Sequence, residues 1–419
     1  MIANDLRYGS NNSKALVVQK FGGTSVGDST RIKAVADHVA RTRRDGNDVL
    51  VVVSAMGKAT DDLIRLANEV STVRPPREMD MLLTSGERVS MALLCMALAE
   101  LGIDALSFTG SQAGIITDTT HTKATILDIK GDRLRDTIEK GQVPVVAGFQ
   151  GISTDHDITT LGRGGSDTTA VALASALGAD VCQIYTDVPG VFSADPRIVP
   201  NARKLKRLSF EEMLEIAATG GRVLALRSVE FARSYKVPLQ VRSSFTWEPG
   251  TTIDEEDPSM EQPLVTAVTH DLSEAKVTLP GVPDKPGISA KLFRALADHT
   301  INVDMIVQNS SLHGTTDISF TVPEDDLETS MKIANNLAKE IGASAPQSDS
   351  DIAKISLIGA GMKSHPGISA TMFEVLASEG INIEMISTSP IRLSCVIKRD
   401  QAERAVAMLH EAFELDREQ

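Results

Sequence analysis

Two glycine clusters, each with one basic side chain, carry most of the chemistry legible in this sequence. The first, Lys20-Phe-Gly-Gly-Thr-Ser25, follows directly on the β-branched run Leu16–Val18. Paired glycines let the backbone approach a ligand, their N–H groups can cradle phosphate oxygens, and Lys20 adds a mobile positive charge beside them. The spacing is not that of a P-loop, Gly-x-x-x-x-Gly-Lys-Ser/Thr, and a Gly-Gly turn alone is equally an ordinary strand-to-helix turn. The second cluster, Leu161-Gly-Arg-Gly-Gly-Ser-Asp167, opens a helical pattern. A helix N-terminus attracts anions through its free N–H groups and dipole, and Arg163 offers a fork for a carboxylate or phosphate. Ser166 or Asp167 could be no more than an N-cap. Two anion-cradling turns in one domain, one with lysine and one with arginine, weigh against the bland reading of both.

Other residues gain meaning only beside these. Thr84-Ser-Gly-Glu-Arg88 starts a largely apolar helix. An acid in a first turn usually complements the dipole or caps, but Glu87 could equally hold an ammonium group. Thr186-Asp-Val-Pro-Gly-Val-Phe192 and Ala194-Asp-Pro-Arg197 are turn-rich loops after a strand, at the edge where open α/β sheets bind ligands.

The elements that must position these residues follow from periodicity. Continuous β-branched runs at Leu16–Val18, Val49–Val53, Val143–Val146, Val181–Tyr185 and Leu239–Val241 fit strands covered on both faces. Helical patterns lie between them, at Thr30–Arg44, Ser85–Leu101, Ser166–Leu177 and Phe210–Ala218. Alternation of this kind predicts an α/β sandwich. Residues 248–263, acidic and carrying three prolines, read as a linker. Residues 1–14, polar and without an apolar core, read as a loose tail rather than a targeting signal.

After the linker the chain repeats itself. Pro286-Gly-Ile-Ser-Ala returns as Pro366-Gly-Ile-Ser-Ala, and the same 80-residue offset maps Phe293 on Phe373, Leu296 on Leu376 and Met305-Ile306 on Met385-Ile386. One register held through so many positions marks a duplicated module. Each copy reads strand, helix opened by proline in its first turn, strand, strand, helix, spanning 264–348 and 349–419. The second copy runs out of apolar residues after Phe413. Leu264–Val268 could supply its missing strand, in which case the first copy is nested within the second.

Composition narrows the function. A net charge of −14, 4% aromatics and a single tryptophan, Trp247, argue against a nucleic-acid or anionic-membrane partner. No run of about 18 apolar residues is apparent. Cys95, Cys182 and Cys395 are far apart in apolar stretches, as expected of reduced core residues in a cytoplasmic protein. The eight histidines lack ligand spacing, so no protein-built metal site is expected.

Lys-Phe-Gly-Gly-Thr-Ser, Val-Val-Ser-Ala-Met (52–56), Thr-Ser-Gly-Glu, Gly-Arg-Gly-Gly-Ser-Asp and Thr-Asp-Val-Pro-Gly occur in the order found in aspartate kinases. The sequence resembles that family from residue 15 to about 415, and its duplicated tail resembles paired ACT domains. The resemblance implies a three-layer αβα amino acid kinase domain over 15–247, followed by two ferredoxin-like ACT modules. It implies that Lys20 neutralises charge on the transferring phosphoryl group and that Asp167 orients Lys20. Gly22, Gly23, Thr24 and Ser25 would line the phosphates. Ser54, Thr60, Glu87, Phe149, Arg163 and Ser166 would hold aspartate. Thr186, Asp187, Phe192, Arg197 and Arg222 would line the ATP site, with Mg²⁺ arriving on the nucleotide. Phe192 and Arg222 stand where tyrosine and lysine are more usual, and Ala225 and Leu226 depart from a usual polar pair.

For the tail, the resemblance implies lysine and/or threonine as effectors, with Asp284, Gln308, Asn309, Asn382 and Ile383 as contacts. Pro390 replaces a frequent glutamate and leaves the effector open. Homo-oligomers formed through the ACT modules are also implied, and an internal start near Met260 would yield a separate regulatory chain. The competing readings are another kinase of this fold, acting on acetylglutamate, glutamate or uridylate, and a non-catalytic amino-acid sensor. Nucleotide binding without turnover would mark the sensor.

Overall fold

The computed structural model describes residues 14–255, 264–309, 314–365 and 367–417. Residues 1–13 of the expected tail, half of the acidic linker and the start near Met260 lie outside the described residues. The chain forms two compact units: residues 14–191, 204–217 and 222–255 make the first, and 192–203, 218–221 and 264–417 the second.

The first unit is built on an eight-stranded sheet in the order Arg207–Ser209, Thr251–Asp254, Leu239–Ser243, Val181–Thr186, Leu16–Phe21, Asp48–Val53, Val143–Ala147, Ala105–Phe108. The last six run parallel to one another. Strand alternation sends Phe21, Val51 and Val53 into a core with Val35 and Val39 of helix Ser29–Arg44 and Leu94 and Leu98 of helix Ser85–Glu100. Lys20, one residue from Phe21, points to the other face and meets Asp167 of helix Gly165–Leu177. The three layers thus dictate where the lysine goes.

Three expectations need correction. Thr251–Asp254 is not linker but a strand, antiparallel to Leu239–Ser243, so the first unit's sheet extends beyond 247. Its short alternation, with Thr251 and Ile253 buried, was masked by the acidic, proline-rich residues around it. Second, helices Pro76–Leu83 and Ser85–Glu100 together give 25 residues long and apolar enough to cross a membrane by length and composition. Leu83, Met91, Leu94 and Leu98 account for much of that apolarity by packing inside the unit. Third, Pro286 sits before the helix rather than in its first turn: Gly287, at φ +96°, caps helix Ile288–Asp298. A second sheet, Ile126–Ile129, Ile115–Thr117, Gln150–Ser153 and Ile158–Thr160, was not anticipated, and its last strand leads into the Arg163 loop.

The second unit holds two four-stranded sheets. One orders Ile306–Gln308, Thr315–Pro323, Glu274–Pro283 and Gln347–Asp349; the other orders Ala267–Asp271, Ile352–Ile358, Arg392–Lys398 and Met385–Ser389. Ala267–Asp271 precedes the first copy in sequence yet pairs antiparallel with Ile352–Ile358 of the second. The first copy is therefore bracketed by strands of the second copy's sheet.

A reciprocal electrostatic link joins the copies. Lys276 in Glu274–Pro283 and Lys354 in Ile352–Ile358 follow equivalent buried alanines, Ala275 and Ala353. Asp304 and Glu384 are related by the 80-residue repeat. Lys354 lies 2.6 Å from Asp304 and 2.5 Å from Glu274, while Lys276 pairs with Glu384. Each copy's lysine thus binds the other copy's acid. Burial alone pulls the Lys354 pKa down, but Glu274 and Asp304 more than offset it and the net shift is upward. The Lys354 side chain is 1% exposed and that of Lys276 20%. Lys354→Ala should therefore cost about 3–5 kcal/mol, the scale for stranding buried partners of opposite charge, and Lys276→Ala distinctly less. Urea unfolding of the two variants measures both, and an unchanged midpoint for Lys354→Ala would count against the link.

Candidate active site

The loops that leave the C-terminal ends of strands Leu16–Phe21, Asp48–Val53 and Val143–Ala147 converge on a cleft of about 290 Å³, the edge at which parallel sheets bind ligands. Lys20, Gly23, Ser54, Thr60, Glu87, Phe149, Arg163, Ser166 and Asp167 line it together. Lys20 Nζ lies 2.5 Å from Asp167 Oδ1, with both side chains nearly buried. Arg163 is exposed on its loop and makes no ion pair among the described residues.

The glycine turns have steric reasons. A Cβ on Gly23 would lie 3.0 Å from the Ala55 carbonyl oxygen, so the two loops close only around glycine. Gly164 has φ +74°, and its Cβ would fall 2.3 Å from that of Ala225. It caps helix Gly165–Leu177 without a side-chain hydrogen bond. Gly165 N donates to Gly162 O at 3.0 Å, while the Ser166 and Asp167 N–H groups have no bond among the described residues and can meet an anion. Phe149 adopts φ +71°, strained for a non-glycine residue. It is held there by its N–H donating to Thr169 Oγ1 (3.1 Å) and its carbonyl accepting from Leu161 N (2.9 Å).

Glu87, in the first turn of helix Ser85–Glu100, is 3% exposed. Its Oε1 accepts from Ala55 N at 3.2 Å, while its buried Oε2 has no hydrogen-bond partner among the described residues. Burial pushes its pKa up to about 7, against the opposing pull of backbone N–H groups. An unsatisfied buried carboxylate facing a cleft is fitted to receive a cation.

The remaining expected residues are placed less centrally. Gly22 N donates to Tyr185 O (3.2 Å), and Thr24 is exposed. Ser25 is buried, and its hydroxyl meets that of Ser244 at 2.5 Å instead of lining the cleft. Thr186 and Asp187 leave the neighbouring strand end, Thr186 Oγ1 donating to Asp187 Oδ1 at 3.1 Å. Arg222 is exposed in the loop before helix Leu226–Tyr235. Phe192 and Arg197 belong to the second unit, where Arg197 forks onto Asp195 at 2.6 Å.

Several residues here escaped sequence reasoning. Gly57 lines the cleft from outside any singled-out motif, and Ala55, Gly162 and Gly164 line it from motifs in which they had no individual role. Asp80 is fully buried and bonds Thr160 Oγ1 (2.6 Å), Thr122 N (3.1 Å) and His121 Nδ1 (2.7 Å), tying two loops beneath the site. No cluster of three or more His, Cys, Asp or Glu side chains suited to a metal occurs among the described residues.

The five expected effector contacts all fall in the second unit. Gln308 Oε1 accepts from Ser289 Oγ at 3.0 Å, Asp284 N donates to Gly314 O at 3.0 Å, and the Asn309 carbonyl accepts from Thr316 Oγ1 at 2.6 Å. Asn382 is exposed, and Ile383 packs on the second copy's core. A cavity of about 320 Å³ in that copy, lined by Met362, Ser369, Thr388 and Pro390 among others, includes none of the five.

A sheet of this topology, with lysine and arginine turns at its C-terminal edge, defines a phosphotransferase of the amino acid kinase class. The amino acid kinase family profile matches residues 15–243, and the ACT domain profile matches 277–336 and 355–413. The aspartokinase of Mycolicibacterium smegmatis is 58% identical over 406 residues, covering 96% of each chain. The crystal structure of E. coli aspartokinase III in complex with aspartate and ADP (R-state) superposes with a TM-score of 0.81 at 26% identity, over 95% of this chain and 99% of that one. The same enzyme in complex with lysine and aspartate (T-state) gives a TM-score of 0.73 at 28% identity, over 95% and 99%. The chain belongs to the aspartokinase family.

The Glu87 shift has a stability consequence. Its folded-state pKa of about 7 exceeds the ordinary value of 4.5. Between those pH values the folded chain keeps a proton that the unfolded chain has lost, so stability falls as pH rises through this window. Glu87→Gln removes the fall. Its stability relative to wild type should rise by at most about 3 kcal/mol between pH 4.5 and pH 8, measured by urea unfolding at both pH values. A difference independent of pH would contradict the buried, uncompensated carboxylate.

Proposed function

We propose that this protein transfers the γ-phosphoryl group of ATP to the side-chain carboxylate of L-aspartate, giving 4-phospho-L-aspartate, under feedback by lysine and/or threonine. The observation that carries the reading is one cleft holding opposite charges in separate places: Lys20 with Asp167, an uncommitted Arg163, and the unpartnered oxygen of Glu87. An amino-acid zwitterion needs such a divided site. Arg163 takes the α-carboxylate, Glu87 the ammonium group, and Ser54, Thr60, Phe149 and Ser166 line the rest. The side-chain carboxylate is then presented towards Lys20.

That carboxylate is already ionised at neutral pH, so no general base is required. The barrier lies in bringing an anion against a polyanion. Lys20 and the glycine N–H groups counter the charge that spreads over the phosphoryl oxygens, and the fixed cleft supplies alignment. Asp167 holds Lys20 in place. Gly22, Gly23, Thr24, Thr186, Asp187 and Arg222 form the nucleotide side, with Ser25 acting through its bond to Ser244. Mg²⁺ would arrive with the nucleotide and neutralise its phosphates. We place the enzyme in the cytoplasm, with the ACT modules forming contacts between copies.

Hydroxylamine trapping of acyl phosphate tests the assignment: product should appear with aspartate and Mg-ATP and diminish with lysine or threonine. ATP binding without trapped product would favour a sensor. Lys20→Ala should lower turnover by about 10²-fold or more, and near-normal turnover would remove its assigned role.

A further inference from the structure

We propose that Arg227 is a positioning residue for substrate binding, which clamps the loop that carries Arg163. This rests on the functional reading above. Arg227 lies in the first turn of helix Leu226–Tyr235 and is half-buried. Its guanidinium donates from Nη1 to the Leu161 carbonyl at 3.1 Å and from Nη2 to the Ala124 carbonyl at 3.0 Å. Leu161 begins the Gly162-Arg163-Gly164 turn, and Ala124 closes the loop that passes beneath it. Ala124 N in turn donates to Thr160 O at 2.9 Å.

The two carbonyls come from segments far apart in sequence, and one planar cation bridges them. A lysine, with a single charged point on a flexible stem, cannot hold both in this geometry. A second contact comes from the same helix end. Ala225, its N-cap, puts its Cβ where a side chain on Gly164 would have to go. The backbone on both sides of Arg163 is thereby fixed from helix Leu226–Tyr235, although Arg163 itself has no ion pair among the described residues to restrain it. Asp80 in turn holds Thr160 and Thr122, which adjoin these two segments. Arg227 thus sets where the Arg163 fork waits for a carboxylate, without touching substrate.

Such a residue affects aspartate binding more than the chemical step. The test uses the full chain with Arg227→Ala and Arg227→Lys, each alone and combined with Arg163→Ala. In Arg227→Ala the ligand-free protein should exchange the amide hydrogens of residues 161–165 about tenfold faster. KM for aspartate should rise about tenfold with kcat within about threefold. Arg227→Lys should lie between, which keeps the test valid if the alanine variant folds poorly. In the Arg163→Ala background, Arg227→Ala should add less than about twofold, since its effect passes through Arg163. Unchanged exchange and KM, equal losses in kcat and kcat/KM, or full additivity with Arg163→Ala would each overturn the clamp. A wild-type chain that forms no acyl phosphate would instead defeat the functional reading, and faster exchange in the variant would still uphold the clamp.

Discussion

A charged lysine can be kept in a nearly buried place only if an acid stands against it, and the pairing of Lys20 with Asp167 constrains much of the first unit. It requires a strand whose alternate residues face different layers, so that Phe21 enters one core while Lys20 meets helix Gly165–Leu177. It requires that helix to begin at the cleft, which brings its free N–H groups beside the lysine. The helix in turn fixes the glycine loop before it and therefore Arg163. Two bases, Lys20 and Arg163, are thus gathered with two acids, Glu87 and Asp167, in one cleft of a chain whose overall charge is −14.

The same site holds groups that cost stability. Among the described residues, Glu87 is buried with one oxygen unpaired, Phe149 occupies left-handed backbone space, and Arg163 has no counter-ion. Each is unfavourable by itself; Glu87 is held by a bond from Ala55, and Phe149 by bonds with Thr169 and Leu161. Polar groups that await a ligand are necessarily unsatisfied without one, so these departures from a well-packed interior mark where binding energy will be released.

Much of this was legible in the sequence because it depends on local pattern. Continuous apolar runs marked five strands of the main sheet, and glycine clusters marked the turns that carry Lys20 and Arg163. What escaped depends on distant pairing or weak local signal. Ser25 and Ser244 are 219 residues apart, and Asp80 and Arg227 look like ordinary helix-surface residues until the backbone oxygens or hydroxyls they bind are known. The small second sheet uses strands of three or four residues, too short for alternation to register. Thr251–Asp254 was lost among neighbouring acids and prolines. Phe192 and Arg197 were assigned by motif, and motif order carries no information on which compact unit a loop joins.

The duplicated tail shows how a repeat can become inseparable from its copy. The sequence repeat is tandem, but strand Ala267–Asp271 gives the second copy an edge that precedes the first. Removing either copy would leave an open sheet edge in the other or strand an acid without its lysine. Lys354 is held by Glu274 and Asp304, both from the first copy, and Glu384 receives Lys276. A buried ionic link of this kind adds little net stability over an apolar contact, yet mispairing it is costly. Its physical value lies in register: two similar modules have many similar ways to stack, and reciprocal charges leave one arrangement favoured. A small ligand can bias such a body only through differential contacts with its alternative states, and a fixed register keeps those alternatives few.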